Sequence, residues 1–406
     1  AADPIRTAAR GMAEADPLLF APGNGNERGR NGGAGIRTAC ALPVLMGKMN
    51  TKSGISLGAG NSFPKTGAAL TRPDLLPPGT RTLNINDAGK HMLDATLDPP
   101  IRAVFIYNHN PIVVHPDQNR MRRGFAREEI FTVGIEVQMT ESMRYCDVGL
   151  PAASQFEVAD LYGAYGHHWL QRAEPVIPPQ GESLPNTEIF RRLAARFGFD
   201  ELCFRDDDAA LMDQAVDGAD PRLQGIRPSA LPLDRAIRMN APDGNPFALF
   251  VNVRPATPSG KVELVSEALA ARWGGHARLP QYRPIEDRHP LALISPASDK
   301  RVSSTLLGFG GAAGEAPPLF MHPADAAARG LADGASVRVF NDLGEVILPL
   351  KVTDAVPPGT VASEKGAWIA TSPTGQTISA LVSADARADL AEGACYNDAR
   401  VEVAAA

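Results

Sequence analysis

The run MHPADAAARGLADGASVRVFNDLGEVILPLKV, Met321 to Val352, constrains the fold more than any other stretch of the chain. Pro323 suits the first position of a helix, where its missing N–H costs nothing, and Gly330 suits the residue just past the helix end. Asp333-Gly334 is turn chemistry. Val337 and Val339 then alternate with Ser336, Arg338 and Asn341, as in a half-buried strand. Asn341-Asp342-Leu343-Gly344 makes a second turn into Glu345–Val352. The run therefore reads as a helix followed by a hairpin, a unit that needs further strands to bury its apolar face.

Composition narrows the class. At 406 residues the chain is long enough for two or three domains, and 44% hydrophobic with 21% charged residues is that of a globular protein. A net charge of −6 argues against a nucleic-acid partner, which calls for a basic face. No apolar run approaches the roughly 20 residues of a membrane span; Ala103–Tyr107 is strand-sized. Cys40, Cys146, Cys203 and Cys395 are far apart and form no C-x-x-C pair, which excludes a cysteine-ligated cluster within this chain. Buried structural thiols are expected instead. The start AADPIRTAAR has neither an initiator Met nor a signal pattern, so a processed chain or a fragment is expected, in the cytoplasm rather than the periplasm.

Residues 1–200 alternate short apolar runs with helical patterns, the mark of a mostly parallel α/β domain. Strands are predicted at Leu18–Phe20, Ile101–Tyr107 (buried), Phe131–Ile135 and Asp147–Leu150. Helices are predicted from about Gly35 to Gly47, over Asp117–Arg127 with Asp117 as N-cap, and over Glu188–Phe197 closed by Gly198. Residues 50–95 are too rich in Gly and Pro to place. Residues 201–287 read as a connector with a helical piece at Ala209–Ala215, and residues 288–406 as short strands and turns.

Several segments offer binding chemistry. Gly23-Asn24-Gly25-Asn26-Glu27-Arg28-Gly29 follows a strand and precedes a helix, as a phosphate-binding turn does. Its spacing departs from G-x-G-x-x-G and it lacks the expected downstream acid, so a nicotinamide site and a ligand-free turn both stay open. Asn108 and Asn110 sit at the carboxyl end of a strand, where open α/β sheets bind ligands, although an Asx-turn before Pro111 also explains them. Glu157, Asp160, Gly163, Tyr165, Gly166, His167 and His168 form a polar cluster, with no regularly spaced third metal ligand. Asn186 suits a helix N-cap. Ser295, Ser298, Arg301, Ser303 and Ser304, with Lys300, make a hydroxyl-rich cationic loop suited to a diphosphate.

In this order the segments resemble the molybdopterin oxidoreductases of the dimethyl sulfoxide reductase family. The match rests on Asn31-Gly32-Gly33, Leu42-Pro43-Val44-Leu45-Met46-Gly47, Tyr107-Asn108-His109-Asn110-Pro111, Met139-Thr140-Glu141, Asp147–Ala152, Thr257–Leu264 and Ile378–Ser383, besides the C-terminal cassette. The resemblance implies a Rossmann-like domain followed by a double-psi-type β-barrel that grips a molybdopterin guanine dinucleotide of molybdenum or tungsten. It implies cofactor contacts from Asn24, Arg28, Asn108, Asn110, Glu136, Asn186, Ser295, Ser298, Arg301, Ser303, Ser304 and Ser379. Glu136 is implied at the nucleotide, where a carboxylate accepts two hydrogen bonds from a guanine or a ribose.

Asp299 and Lys300 stand where the family often has His or Asn, and Ser379 where Asn is common. The four-cysteine cluster domain and the metal-ligating Ser, Cys or selenocysteine of such enzymes are not found, so no catalytic residue and no metal ligand is assigned. The chain is expected to be the C-terminal part of an enzyme of oxygen-atom or two-electron transfer on a small molecule. Its partners would be the missing N-terminal half, which holds any iron–sulfur cluster, and an electron-transfer subunit. The alternative is a non-catalytic pterin-binding or assembly subunit working with a separate metal-ligating chain. A nicotinamide-dependent dehydrogenase leaves the barrel unexplained. Alone, the chain is expected to be inactive, to bind the dinucleotide weakly and to aggregate.

Overall fold

The structure, a computed structural model, describes residues 2–50, 52–55, 67–163, 167–216, 220, 223, 225–241, 243–248, 250–302 and 315–406. They pack as two compact units, Ala1–Asn24 with Ala34–Arg81 and Ala153–Gln281, and Gly25–Gly33 with Thr82–Ala152 and Tyr282–Ala406.

The second unit carries a three-stranded parallel sheet and a closed six-stranded barrel. The sheet strands are β1 (Ala103–Tyr107), β2 (Phe131–Glu136) and β3 (Val148–Pro151), in that order, with Phe105 opposite Val133 and Val133 opposite Val148. One face packs on helices Ala88–Leu93 and Gln118–Phe125, burying Met92, Ile106, Met121 and Phe125. Gly134 in the middle strand is required: a Cβ there would run into Met143 Sδ and approach Cys146 Sγ. Asp117 caps the second helix as predicted, with its carboxylate accepting from Arg120 N at 3.0 Å. The strand predicted as buried is not so throughout. Ile106 is buried, but Phe105 and Tyr107 are exposed, because a short apolar run specifies a strand without specifying its sidedness.

The barrel is built of β4 (Leu291–Ile294), β5 (Leu319–Met321), β6 (Ser336–Phe340), β7 (Glu345–Val352), β8 (Thr360–Ala362) and β9 (Ala399–Ala405). They close in the order β5-β7-β6-β9-β4-β8. Inward positions alternate along the strands, and Leu291, Leu293, Val337, Val339, Val346, Val401 and Val403 fill the interior. Closure leaves no free edge, so each strand is fixed by two neighbours. The cassette is as read: helix Pro323–Ala327 ends towards Gly330 at φ 65°, Gly334 has φ 79°, and Asn341 Oδ1 accepts from Leu343 N at 3.0 Å.

Residues 82–152, read from sequence with the N-terminal α/β region, pack in the same unit as the barrel. The reason is a set of hydrogen bonds that no local pattern records. Asp117 N donates to Val382 O at 2.8 Å, Thr377 N to Gln118 Oε1 at 2.9 Å, and Asn119 Nδ2 to Leu343 O at 3.1 Å.

The first unit holds a parallel pair, Leu19–Phe20 with Gly54–Ile55, and an antiparallel sheet of Asp160–Tyr162, Trp169–Ala173 and Ile237–Arg238 over Leu170, Leu231 and Met239. Helix Gly32–Leu45 starts within Asn31-Gly32-Gly33, three residues ahead of the expected Gly35. Helix Asn186–Phe197 takes Pro185 as N-cap, so Asn186 is its first helical residue rather than its cap. Pro185 (φ −53°, ψ 141°) already has the extended backbone a cap position needs.

Candidate functional site

A cleft of about 520 Å³ opens in the second unit, walled by Arg28, Ser295, Lys365, Thr377, Ser379 and Tyr396 together with apolar neighbours. Hydrogen bonds of long sequence range bring its walls together. Asn397 ties three segments together: its N donates to Arg28 O (2.9 Å), its Nδ2 to Gly25 O (3.0 Å), and its Oδ1 accepts from Ser295 N (3.1 Å). The Gly25–Gly33 turn and the start of the Ser295 loop therefore border one cleft. The Arg28 guanidinium lies 5.9 Å from the Tyr396 ring centroid, within cation–π range, and Tyr396 Oη donates to Val114 O at 2.8 Å. Ser379 Oγ donates to Val113 O at 2.7 Å, so its lone pairs still face outward as acceptors.

The electrostatics fit an anion. Burial, reinforced by neighbouring Arg28, pushes the Lys365 ammonium below the usual lysine range. Two cations facing one cleft raise each other's cost, and a bound diphosphate would relieve both. Tyr396 is pushed up to about 12 by burial, with Arg28 acting the other way, so it stays neutral at physiological pH. Glu27 also borders the cleft and is exposed.

Gly366 shapes the wall. It has φ +99°, and a Cβ there would sit 2.7 Å from Arg301 Cβ and 2.8 Å from Arg301 O. Gly366→Ala is therefore expected to destabilise this unit by about 1–3 kcal/mol, from backbone strain and displacement of Arg301. A urea midpoint equal to wild type would contradict that.

At the carboxyl ends of β1 and β2, Asn108 adopts φ 51° and is exposed, and its N donates to Ile135 O at 3.2 Å. Glu136 is buried. Its Oε1 accepts from Val137 N at 2.9 Å, while Oε2 has no partner among the described residues. Burial raises its carboxyl above the ordinary range, against the opposing backbone hydrogen bonds from Val137 and His109. A raised folded-state value means that the ionised form is the costly one. Stability from this group is fully present below the ordinary glutamate range and is lost as pH rises through the folded value. Glu136→Gln is accordingly expected to raise stability at pH 8 and to lose that advantage at pH 4. A variant less stable at pH 8 would refute this.

His109 and His115 stand with Nε2 atoms 2.7 Å apart, one donating to the other, and burial lowers His115 to about 4, so both are neutral at pH 7. Helix Pro111–Val114 connects the two regions, since Val113 and Val114 line the cleft and the His109 amide faces Glu136.

The other residues singled out from sequence are placed variously. Asn110 is fully buried: its Nδ2 donates to Glu141 Oε2 (3.0 Å), and its Oδ1 accepts from Ser142 N and Oγ. That amide holds the loop after β1. The Arg301 side chain is 8% exposed and pairs with Glu364 at 2.9 Å, and its Nε has no partner among the described residues. Ser298 Oγ accepts from Lys300 N at 3.1 Å, and Asn24 is exposed. Asn186 begins a helix in the first unit. Ser303, Ser304, Tyr165 and Gly166 lie outside the described residues.

Of the polar cluster, His168 stacks on Phe247 at 4.0 Å, and Glu157 is buried and accepts from Ser154 N and Gln180 N. Both are scaffold roles. Among the described residues no group of three or more metal-ligating side chains converges, and the four cysteines are free. Lys365, Thr377 and Tyr396 also line the cleft, outside the segments whose chemistry the sequence marks. The Lys365-Gly366 pair after a strand was the one local signal of a tight, exposed approach.

Comparison with known proteins agrees with this architecture. Residues 8–196 match the model described as molybdopterin oxidoreductase, and residues 291–400 that described as molydopterin dinucleotide binding domain. The "Probable oxidoreductase YoaE" of Bacillus subtilis is 37% identical over 402 residues, covering 97% of this chain and 58% of that protein. The dimethyl sulfoxide/trimethylamine N-oxide reductase of Rhodobacter capsulatus is 29% identical over 66% of this chain and 36% of that protein. The chain thus spans little more than half the length of the curated relatives it matches over nearly its whole extent. The acetylene hydratase of Pelobacter acetylenicus shares the fold, with a TM-score of 0.77 over 100% of this chain and 63% of that one at 22% identity. The barrel and both matched models agree: the chain belongs to the molybdopterin oxidoreductases, in the dimethyl sulfoxide reductase family.

Proposed function

We propose that this chain forms the dinucleotide-binding walls of a molybdopterin oxidoreductase, gripping the guanine dinucleotide end of the cofactor. The observation that carries the reading is the cleft of the second unit, where two cations, Arg28 and Lys365, face hydroxyls of Ser295, Thr377 and Ser379. The group's chemistry suits these residues. A diphosphate needs cations and hydroxyl donors, which Arg28, Lys365, Ser295 and Thr377 offer, whereas Ser379, its proton given to Val113 O, can only accept. A purine edge suits Glu136, whose buried Oε2 awaits a donor. Gly366 lets backbone approach where a side chain would fill the wall.

When bound, the cofactor supplies oxygen-atom or two-electron transfer at molybdenum or tungsten. The chain's own residues neutralise the diphosphate and hold the purine, while burial keeps Tyr396 protonated beside Arg28. We assign the metal ligand, any iron–sulfur cluster and the contact with an electron donor or acceptor to further polypeptide, and leave the small-molecule substrate unnamed.

The purified chain alone is expected to carry no stoichiometric molybdenum or tungsten and to show no turnover in a dye-linked reductase assay. The described residues offer no metal-ligand set. Stoichiometric metal with turnover would contradict the assignment.

A further inference from the structure

Among the described residues, the helices that pack on the three-stranded sheet lie on one of its faces. By register, Ala103 and Phe131 share the other face with the row Phe105, Val133 and Val148, and with the row Tyr107, Ile135 and Leu150. All eight side chains are apolar or aromatic. Val133 and Ile135 on the central strand are buried, but the remaining large groups are open: Phe105 is 43% exposed, Tyr107 53%, Phe131 51% and Val148 38%.

Such a face is costly to leave in water, since each half-exposed large side chain keeps apolar area in contact with solvent. Parallel sheets, built by crossover connections, occur almost only with both faces covered. The outer edge of β1 also has no strand paired to it among the described residues, a template that folded proteins normally cap or cover.

We infer that this face is a docking surface for a helical layer, supplied by polypeptide equivalent to the part of the longer relatives that lies outside their match to this chain. The inference rests on the reading that the chain works with such polypeptide. It adds where that polypeptide seats and by what chemistry. The length argues for this occupant: a relative 37% identical across 97% of this chain matches it over only 58% of its own length. The geometry argues for helices. One face of the sheet already carries two, Ala88–Leu93 and Gln118–Phe125, and an amphipathic helix with an apolar stripe is the element that packs on a pleated apolar face.

The test uses the full chain and, as the probe, the region of Bacillus subtilis YoaE outside its match to this chain, expressed separately. Binding is read by light scattering after size-exclusion chromatography and by titration, with amide exchange followed in β1 and β3. Wild type is expected to bind with slowed exchange in both strands. Phe105→Glu with Phe131→Glu should weaken binding at least 100-fold while leaving the circular dichroism spectrum unchanged, since both positions are exposed. Phe197→Glu, an exposed apolar position in the first unit, should bind as wild type. Equal binding by all three proteins overturns the docking face alone. No binding by any of them overturns the cooperation reading as well. A wild-type dimer that Phe105→Glu with Phe131→Glu makes monomeric would assign the face to a second copy and overturn this occupant.

Discussion

Arg28→Ala combined with Lys365→Ala is expected to weaken guanine-dinucleotide binding by roughly 10²- to 10⁴-fold. A hydrogen bond to a charged group contributes about 1.5–3 kcal/mol, and each 1.4 kcal/mol is tenfold in affinity. Both groups face the same cleft, and Arg28 is itself a cause of the depressed Lys365 value. The two substitutions are therefore coupled. Removing either cation alone relieves the other in the free protein, so the double variant should lose less than the sum of the singles in the free-energy cycle. Fold is expected to be retained, because neither side chain lies in the barrel interior. An affinity within threefold of wild type would contradict the clamp.

Trp368→Ala is expected to cost the second unit about 3–5 kcal/mol, the usual range for deleting a buried tryptophan. Trp368 is 1% exposed and lies two residues beyond Gly366, directly after the wall residue Ala367. Its Nε1 donates to Val302 O at 3.1 Å, and the next residue's N donates to Glu141 Oε1 at 2.7 Å. Truncation removes the ring's packing and leaves the Val302 carbonyl without its donor. With two units in the chain, the effect should be read on the transition of the second unit in a urea titration, not on a single global midpoint. A shift in affinity without a shift in stability would place Trp368 on the ligand instead of beneath it.

The C-terminal cassette was legible because its signals are local. Pro323, Gly330, Gly334 and the Asn341 side chain each satisfy a backbone requirement within a few residues, so their types report their conformations. The parallel setting of β1 and β2 was legible for a similar reason, since two short apolar runs separated by a helical pattern admit few topologies. The cleft was only half legible. Arg28 and Ser295 stood out by chemistry, yet what joins them is Asn397, a residue with no local signature. Lys365 and Tyr396 enter the wall through closure of the barrel, which pairs residues across the whole C-terminal segment.

Asn110 shows the opposite limit. Its type and position suggest a ligand contact, but Glu141 and Ser142, about thirty residues on, occupy its amide. The sidedness of β1 was likewise hidden, because an unbroken run such as Ala103–Tyr107 carries no alternation to read.

The central claim is that the second unit binds a guanine dinucleotide through Arg28, Lys365 and Glu136. Calorimetric titration of GDP and of ADP into the purified chain, its Arg28→Ala/Lys365→Ala variant and its Glu136→Gln variant tests it most directly. The account predicts saturable GDP binding tighter than ADP binding. It predicts loss of both nucleotides in the double variant, and loss of the GDP preference in Glu136→Gln. Absence of binding to the native chain, or binding that all three proteins share equally, would contradict it.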